Sequence, residues 1–513
     1  MESKRKPLNN IAKSAVMLSI ITIFIKAIGF IKQAVISYYF GASVTMDSYL
    51  VVTDFVSEVG TMFFSSIAIT LIVIYDEERR DVKRKNEFVS NAFTGLLVFS
   101  IALVVIVCLS ARPIFGILAP GFSSKVLDES VRRLRIVSIL LINICISNIC
   151  VALLNAEKRF IVAKSIGLIQ SVCIIVACVF LEKKLGIMAL FYGFGAFYIV
   201  ENIFLLLNVR NIFSYRLRNP FKDIRIRRLI KLSIPLFISS AIVQINAMVD
   251  KAIASNLGVG SVSGMSYGNF VFSTIHSIII ASVTTVLYSY FSDYVIEKDE
   301  MAIVQKTKSS LHLLISLLIP ICACCCINSD EIIRLVYGRG TFGEDAISIT
   351  SSAFLGYCIG IVFIAIRDVY LQVLYAYKKT KIAMINGGVG VIINVFLSLT
   401  LSRYIGVFGI ALADSISYIV LVVMSYLSVR GVLPNIRLAF TNRDFIIIGI
   451  STVAMFICGF VLNFLLGDIH FLLRLVASAL IIFGVYYVLM ILFKHESVSY
   501  IKGFILQKNQ KNE

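Results

Sequence analysis

Tryptophan is absent from the 513 residues, histidine occurs four times, and charged residues make up only 15% of the chain. A soluble chain of this length carries roughly a quarter charged residues, so the shortage of charge excludes an ordinary soluble domain. Without tryptophan, an aromatic belt at a membrane interface has to come from the 22 tyrosines and 37 phenylalanines. The histidines fall at no metal-ligand spacing with the 11 cysteines, which lie in apolar segments such as "CACCC" at 322–326. Such cysteines read as small apolar packing residues rather than a disulfide framework. No metal, no cofactor and no catalytic set is expected.

What is present is hydrocarbon. The chain is 58% hydrophobic, and apolar runs of about 20 residues recur from end to end, the mark of a polytopic helical membrane protein. Runs such as "SIALVVIVCLSA" do not alternate apolar and polar residues, which excludes a transmembrane barrel. The basic start "MESKRKPLNN" leads into an apolar segment that runs on past residue 20 without a small-residue cleavage site, so it reads as an uncleaved first span. Fourteen spans are expected, near 11–40, 48–75, 88–111, 131–155, 161–181, 187–208, 232–255, 263–292, 309–327, 346–375, 382–402, 408–430, 445–465 and 471–493. The net charge of +18 suggests nucleic acid by number but not by position. Most lysines and arginines fall in alternate loops, which by the positive-inside rule puts both termini in the cytoplasm.

Residues 154–210 align without a gap onto 374–430, with identities at Ala156/Ala376, Lys158/Lys378, Gly167/Gly387, Gly186/Gly406, Tyr198/Tyr418 and Arg210/Arg430. The offset covers six spans, an even number, so the copies point the same way through the membrane. The expected fold is therefore all-α: an N-terminal lobe (1–208) and a C-terminal lobe (232–430), six helices each, related by a pseudo-two-fold axis along the membrane normal. A basic cytoplasmic linker (209–231) joins them, two extra helices (445–493) follow, and 494–513 is a cytoplasmic tail. Such repeats enclose a central cavity in transporters that alternate access by rocking lobes.

Ionisable residues inside spans usually face a bundle interior or a wet cavity. Here they are Lys26, Lys32, Asp47, Asp54, Glu58, Glu201, Asp250, Lys251, Arg367, Asp368 and Asp414. Asp250–Lys251 and Arg367–Asp368 read equally well as local pairs that orient helices, and Asp47 as a solvated or helix-capping residue at the outer rim. Lys26 and Lys32 differ, because the first span carries no acid and a lysine at mid-bilayer costs roughly 2.5–3.5 kcal/mol. Six residues separate them, about 9 Å of rise and 240° of rotation on an ideal helix. A bend at Gly29 would let both address one cavity; the alternative is snorkelling toward opposite interfaces. A cationic, acid-free first span suits an anionic cargo, whereas an exporter of organic cations would want carboxylates there.

The stretches "KAIGFIKQAVISYYFGASVTMDSYLV" (26–51), "LAPGF" (118–122), "QINAMVDKAIASNLGVGSVSGMSYGN" (244–269), "YGRGTFGEDAISITSSAFLGYCIGIVF" (337–363) and "IRDVYLQVLYAYKKTKIAMINGGVGVIINV" (366–395) carry a resemblance. Together they make the chain similar to the MurJ/MviN family of lipid II flippases, in the superfamily that also holds Wzx-type polysaccharide-unit flippases and MATE drug exporters. The resemblance implies a flippase in the bacterial cytoplasmic membrane that moves an undecaprenyl-pyrophosphate-linked precursor to the outer leaflet. Its partners would be that glycolipid, the bilayer and cell-wall or polysaccharide synthesis enzymes. It implies that Lys26 and Lys32 stand where the family places cavity arginines meeting the pyrophosphate, with Lys251 as a further cation. It also implies that Asp47 is the family's acid in the glycine-rich outer turn, and that 445–493 forms the groove for the lipid tail. Gly29, Asp47, Asn246, Asp250, Asn269, Arg367 and Asp368 are assigned gating or structural roles. The sequence departs from the family in the second span, which lacks an arginine and has Gly60 near its place, in the eighth (Asn269, Phe270, Ser273), and at Gln33. A Wzx-like flippase for an exopolysaccharide, capsule or O-antigen unit is the alternative, ahead of a MATE-type exporter, a membrane enzyme or a non-transporting scaffold.

Overall fold

The computed structural model describes residues 5–217, 219–437, 439–466 and 470–498. Within them the regular structure is helical. The helices are α1 (Arg5–Phe40), α2 (Val44–Gly60), α3 (Ser66–Glu78), α4 (Val82–Leu109), α5 (Ala111–Leu118), α6 (Ser124–Val137), α7 (Leu140–Ala156), α8 (Phe160–Lys164), α9 (Ile166–Leu185), α10 (Met188–Val209), α11 (Ile224–Ser255), α12 (Ser261–Glu297), α13 (Glu300–Ile327), α14 (Ser329–Tyr337), α15 (Glu344–Ile359), α16 (Ile361–Ala376), α17 (Thr380–Val432), α18 (Asn442–Leu465) and α19 (Phe471–Leu492).

Among the described residues, ten helical stretches are long and apolar enough to cross a membrane, and the bent pairs α6–α7 (43°) and α15–α16 (44°) bring the total to twelve. One of the ten, α17, breaks at Ile405 and Gly406 into two spans; with α1 this gives the fourteen expected. Backbone hydrogen bonds are closed within each helix, which is what a spanning segment requires when no water reaches it. Contacts divide the chain into two compact units, 1–263 with 339–343, and 264–338 with 344–513.

In the first unit, α2 and α3 form one long span interrupted by a π-helical turn at Thr61–Ser65. Such turns arise where an extra residue is taken into the helix, often beside functional positions. Just before it, Gly60 lies so close to α7 that a Cβ would stand 2.7 Å from Ile144 Cγ2. The linker lies along the start of α4: Lys85 Nζ donates to the Ile212 carbonyl (2.9 Å), the Arg216 N–H to Ser90 Oγ (3.1 Å), and Asn91 Nδ2 to Asp223 (2.7 Å). Asp223 caps α11, accepting from the Arg225 N–H, and its carboxylate also binds the Arg225 guanidinium at 2.8 Å. Burial would raise this carboxyl, but the hydrogen bonds from Arg225 and Asn91 and the guanidinium charge outweigh it and hold it below its usual range. A lowered folded-state value contributes stability above the ordinary carboxylate range and loses it as pH falls through the lowered value. Asp223→Ala is therefore expected to lower unfolding stability by about 1–2 kcal/mol at neutral pH and by progressively less below about pH 4, read as thermal unfolding of the protein in detergent.

The repeat found in the sequence has matched local geometry. Lys158 and Lys378 both adopt φ 58°, and Gly186 and Gly406 adopt φ 54° and 59°. The Arg159 N–H donates to Leu154 and the Lys379 N–H to Leu374, each at 2.8 Å. The turns that open the two copies are the same turn.

In the second unit, α18 and α19 pack on α13 through Met455, Ile482, Tyr486, Met490 and Ala323, all buried. Arg474 at the start of α19 pairs with Glu331 of α14 at 2.5 Å. At the other end of this pair, His312 of α13 is held by Ser497 Oγ (3.0 Å) and the Ala439 carbonyl (2.9 Å). His312, Asp444 and Glu496 have donor atoms within 4.8 Å of one another, yet both ring nitrogens of His312 are engaged by protein, so the cluster reads as a brace across three segments. All eleven cysteines are free. Residues 499–513 of the expected tail lie outside the described residues.

Candidate functional site

Lys26 and Lys32 lie on α1, which runs without interruption through Gly29. A Cβ at Gly29 would meet nothing within 4 Å, so the glycine leaves open space beside the helix. Both lysines are half-buried. Among the described residues neither makes a hydrogen bond or an ion pair. The acid whose charge reaches Lys32 is Asp54.

Lys251 of α11 is held quite differently. Its ammonium stands 3.0 Å from Asp54 Oδ2 and also pairs with Glu58 Oε1. Asp54 and Glu58 are four residues apart on α2, which puts both on one helical face. Lys251 and Glu58 side chains are each 13% exposed, so little water screens the group. The sequence marks both acids as intramembrane residues, but it does not tell which cation they meet. The i, i+4 spacing of two carboxylates in an apolar run was the available signal.

The remaining residues separate. Asn246 donates to Asp250 at 3.2 Å on the same face of α11. On α16, Arg367 donates to Asp368 Oδ1 at 3.2 Å, and His276 Nε2 of α12 lies 3.0 Å from Asp368 Oδ2. His276 was not foreseen; a lone histidine in an apolar run gave little reason to single it out. Asn269 is exposed on α12. Asp47 is 2% exposed and accepts from the Gly260 N–H (Oδ2, 2.8 Å) and the Ser263 N–H (Oδ1, 2.8 Å). It therefore caps the first turn of α12 from inside the protein, where a carboxylate satisfies otherwise orphaned N–H groups; the capping role is present without the solvation. Close by, Gly340 adopts φ +64° and the Thr341 N–H donates to the Tyr38 carbonyl at 2.9 Å, so the 339–343 loop is seated on the end of α1.

No arginine occurs in α2 or α3. At Gly60, near the place where the resemblance puts one, Ile144 fills the space a side chain would need. Around Asp54 and Glu58 of α2 the charge is thus two ammonium groups, Lys32 and Lys251, beside two carboxylates, with Lys26 a further cation on α1. In this arrangement the ammonium of Lys251 is engaged by carboxylates, while those of Lys26 and Lys32 make no hydrogen bond or ion pair among the described residues.

A family model described as lipid II flippase MurJ matches residues 36–477. A probable lipid II flippase MurJ of Treponema pallidum is 23% identical, the match covering 83% of each chain. That of Thermotoga maritima is also 23% identical, over 79% of this chain and 83% of its own. Among solved structures, the lipid II flippase MurJ in an inward closed conformation superposes with a TM-score of 0.81 at 24% identity, covering 94% of this chain and 100% of that one. An inward-facing MATE-family multidrug transporter gives 0.61 at 13% identity, covering 79% and 98%. With its family model spanning most of the sequence, this chain belongs to the MurJ family.

Proposed function

We propose that the chain is a flippase that carries an undecaprenyl-pyrophosphate-linked glycan precursor, lipid II by default, from the cytoplasmic to the outer leaflet for peptidoglycan synthesis. The observation that carries this reading is the contrast among intramembrane cations. Lys251 and Arg367 are satisfied by carboxylates, whereas Lys26 and Lys32 have no such partner among the described residues. Charge kept in a low-dielectric region without a protein partner is costly, and a pyrophosphate crossing the same region needs counter-charge. Each removes the other's penalty.

In this reading the lobes 1–208 and 232–430 alternate access around a central chamber, joined by the linker 209–231. Both termini are cytoplasmic, and the helices of 445–493 guide the lipid tail. A Wzx-like flippase for a polysaccharide unit is the second reading. Gly60 favours it, since the packing against Ile144 leaves no room there for the missing arginine. Depletion complementation separates the two. Cells deprived of their lipid II flippase should grow and display lipid II on the outer leaflet when this chain is expressed; full expression and membrane insertion without rescue would favour the polysaccharide cargo.

A further inference from the structure

Two carboxylates on one ammonium is more than a structural ion pair needs. Lys251 is already balanced by Asp54 at 3.0 Å, yet Glu58 also binds it, and Glu58 Oε2 is buried without a hydrogen-bond partner. A buried ion pair stabilises only when its remaining lone pairs are satisfied. Here one oxygen is left over and the trio carries an excess negative charge, which Lys32, reached by the field of Asp54, offsets from α1. The arrangement is neutral as it stands and costly to disturb.

From this geometry we infer that Asp54 and Glu58 form a charge lock on Lys251, opened when an anionic cargo draws the ammonium away and a proton from water takes its place on Glu58. The inference rests on the pyrophosphate reading above. A pyrophosphate diester is a dianion. Brought to Lys26 and Lys32, it adds negative charge beside two carboxylates that already exceed the charge of Lys251, and in a poorly solvated site such repulsion is large. Moving Lys251 onto the phosphate relieves the cargo but strands Glu58, whose Oε1 then loses its partner as Oε2 lacks one already. Protonation removes the stranded charge. Cargo binding and proton uptake thereby become linked, and by reciprocity acid strengthens cargo binding.

The groups around Glu58 are few. Asp54 on its own helix and Lys251 on α11 act on it. From α10, Tyr198 hydrogen-bonds Ser57, and Glu201 lies near Tyr198, its carboxyl accepting from Ser147 of α7. The titratable groups on α7 among the described residues are the thiols Cys145 and Cys150. On α6, Arg133 pairs with Glu129 at 3.0 Å and meets α2 at Ser48, nearly three turns from Glu58. Asp250, next to Lys251, is engaged by Asn246.

The test uses the full chain in lipid nanodiscs and undecaprenyl-pyrophosphoryl-N-acetylglucosamine, a diester whose charge is constant above about pH 3, with undecaprenol as the uncharged control. Between about pH 8 and pH 6, affinity of the wild type should rise about tenfold, one linked proton giving up to tenfold per pH unit. Glu58→Gln, which mimics the protonated carboxyl, should bind tightly at both pH values with the slope gone. Asp54→Asn should bind more tightly while keeping a slope, because Glu58 remains. Thermal unfolding of each variant verifies that it is folded. Wild-type binding that is charge-dependent but flat with pH, or a Glu58→Gln variant weakened equally at both ends, overturns the lock and leaves the cargo reading intact. A diester that binds no better than undecaprenol at any pH removes the cargo reading and the lock with it.

Discussion

Replacing Lys26 and Lys32 together by alanine should abolish transport while leaving the protein folded and inserted. A charge-assisted hydrogen bond to a phosphate contributes about 1.5–3 kcal/mol, so losing both removes roughly 3–6 kcal/mol of cargo binding, at least a hundredfold. No described carboxylate loses a direct ion pair in the double change; removing Lys32 takes away only the charge that offsets the excess of Asp54 and Glu58 over Lys251, so stability should fall modestly. That separation of effects distinguishes the lysines of α1 from Lys251, whose removal would leave Asp54 and Glu58 facing each other. Arginine at either position should retain activity, since it keeps the charge and adds bidentate geometry. Glutamine should not. Growth of flippase-depleted cells, set against membrane abundance of each variant, reads the difference.

Gly340→Ala should produce the largest structural effect of any single methyl group considered. The residue sits at φ +64°, where a side chain costs about 1–2 kcal/mol. An added Cβ would also stand 2.2 Å from the Tyr38 carbonyl oxygen and 2.7 Å from the Tyr38 ring. The carbonyl is fixed at the end of α1 and accepts from Thr341 through both N–H (2.9 Å) and Oγ1 (3.1 Å), so it cannot retreat without giving up the bonds that seat the loop. The loop 339–343 is expected to detach from α1. Hydrogen exchange should then accelerate at residues 338–343 and at 38–41, with no change in α18 and α19. Unchanged exchange in the loop would mean that it does not depend on this approach.

Much of the architecture was legible because one constraint dominates it. A bilayer demands about 20 apolar residues per crossing, and hydropathy alone locates those runs. Where the demand relaxes, the reading blurred. Spans drawn at 131–155 and 346–375 are in fact bent pairs; the first breaks where the arginine-bearing, amphipathic α6 gives way to the apolar α7, and the second at Gly360. The spans expected at 382–402 and 408–430 are both present, separated at Ile405 and Gly406, where the positive φ of the glycine turns the chain. The short amphipathic helices α5 and α14 fall between spans, where hydropathy says little.

The site was legible in its residue types and not in its pairings. The first span offers Lys26 and Lys32 no acid of their own, and the one whose charge reaches Lys32, Asp54, lies on α2. That α2 would turn Asp54 and Glu58 toward Lys251, almost two hundred residues away, depends on which helix faces meet. Spacing along one helix carries no record of that. The capping of α12 by Asp47 was hidden for the same reason: the identity of a cap is visible locally only when the capped helix follows at once, as it does for Thr441 and Asp444 in α18.

The central claim is that the unpaired lysines of α1 exist to meet pyrophosphate. It is tested most directly by reconstituting the purified chain in vesicles and measuring headgroup transfer of lipid II across the bilayer, beside the same chain carrying Lys26→Ala and Lys32→Ala. The account predicts transfer by the wild type, abolished in the double variant and sustained when both positions are arginine. Transfer at the wild-type rate without either lysine would contradict it.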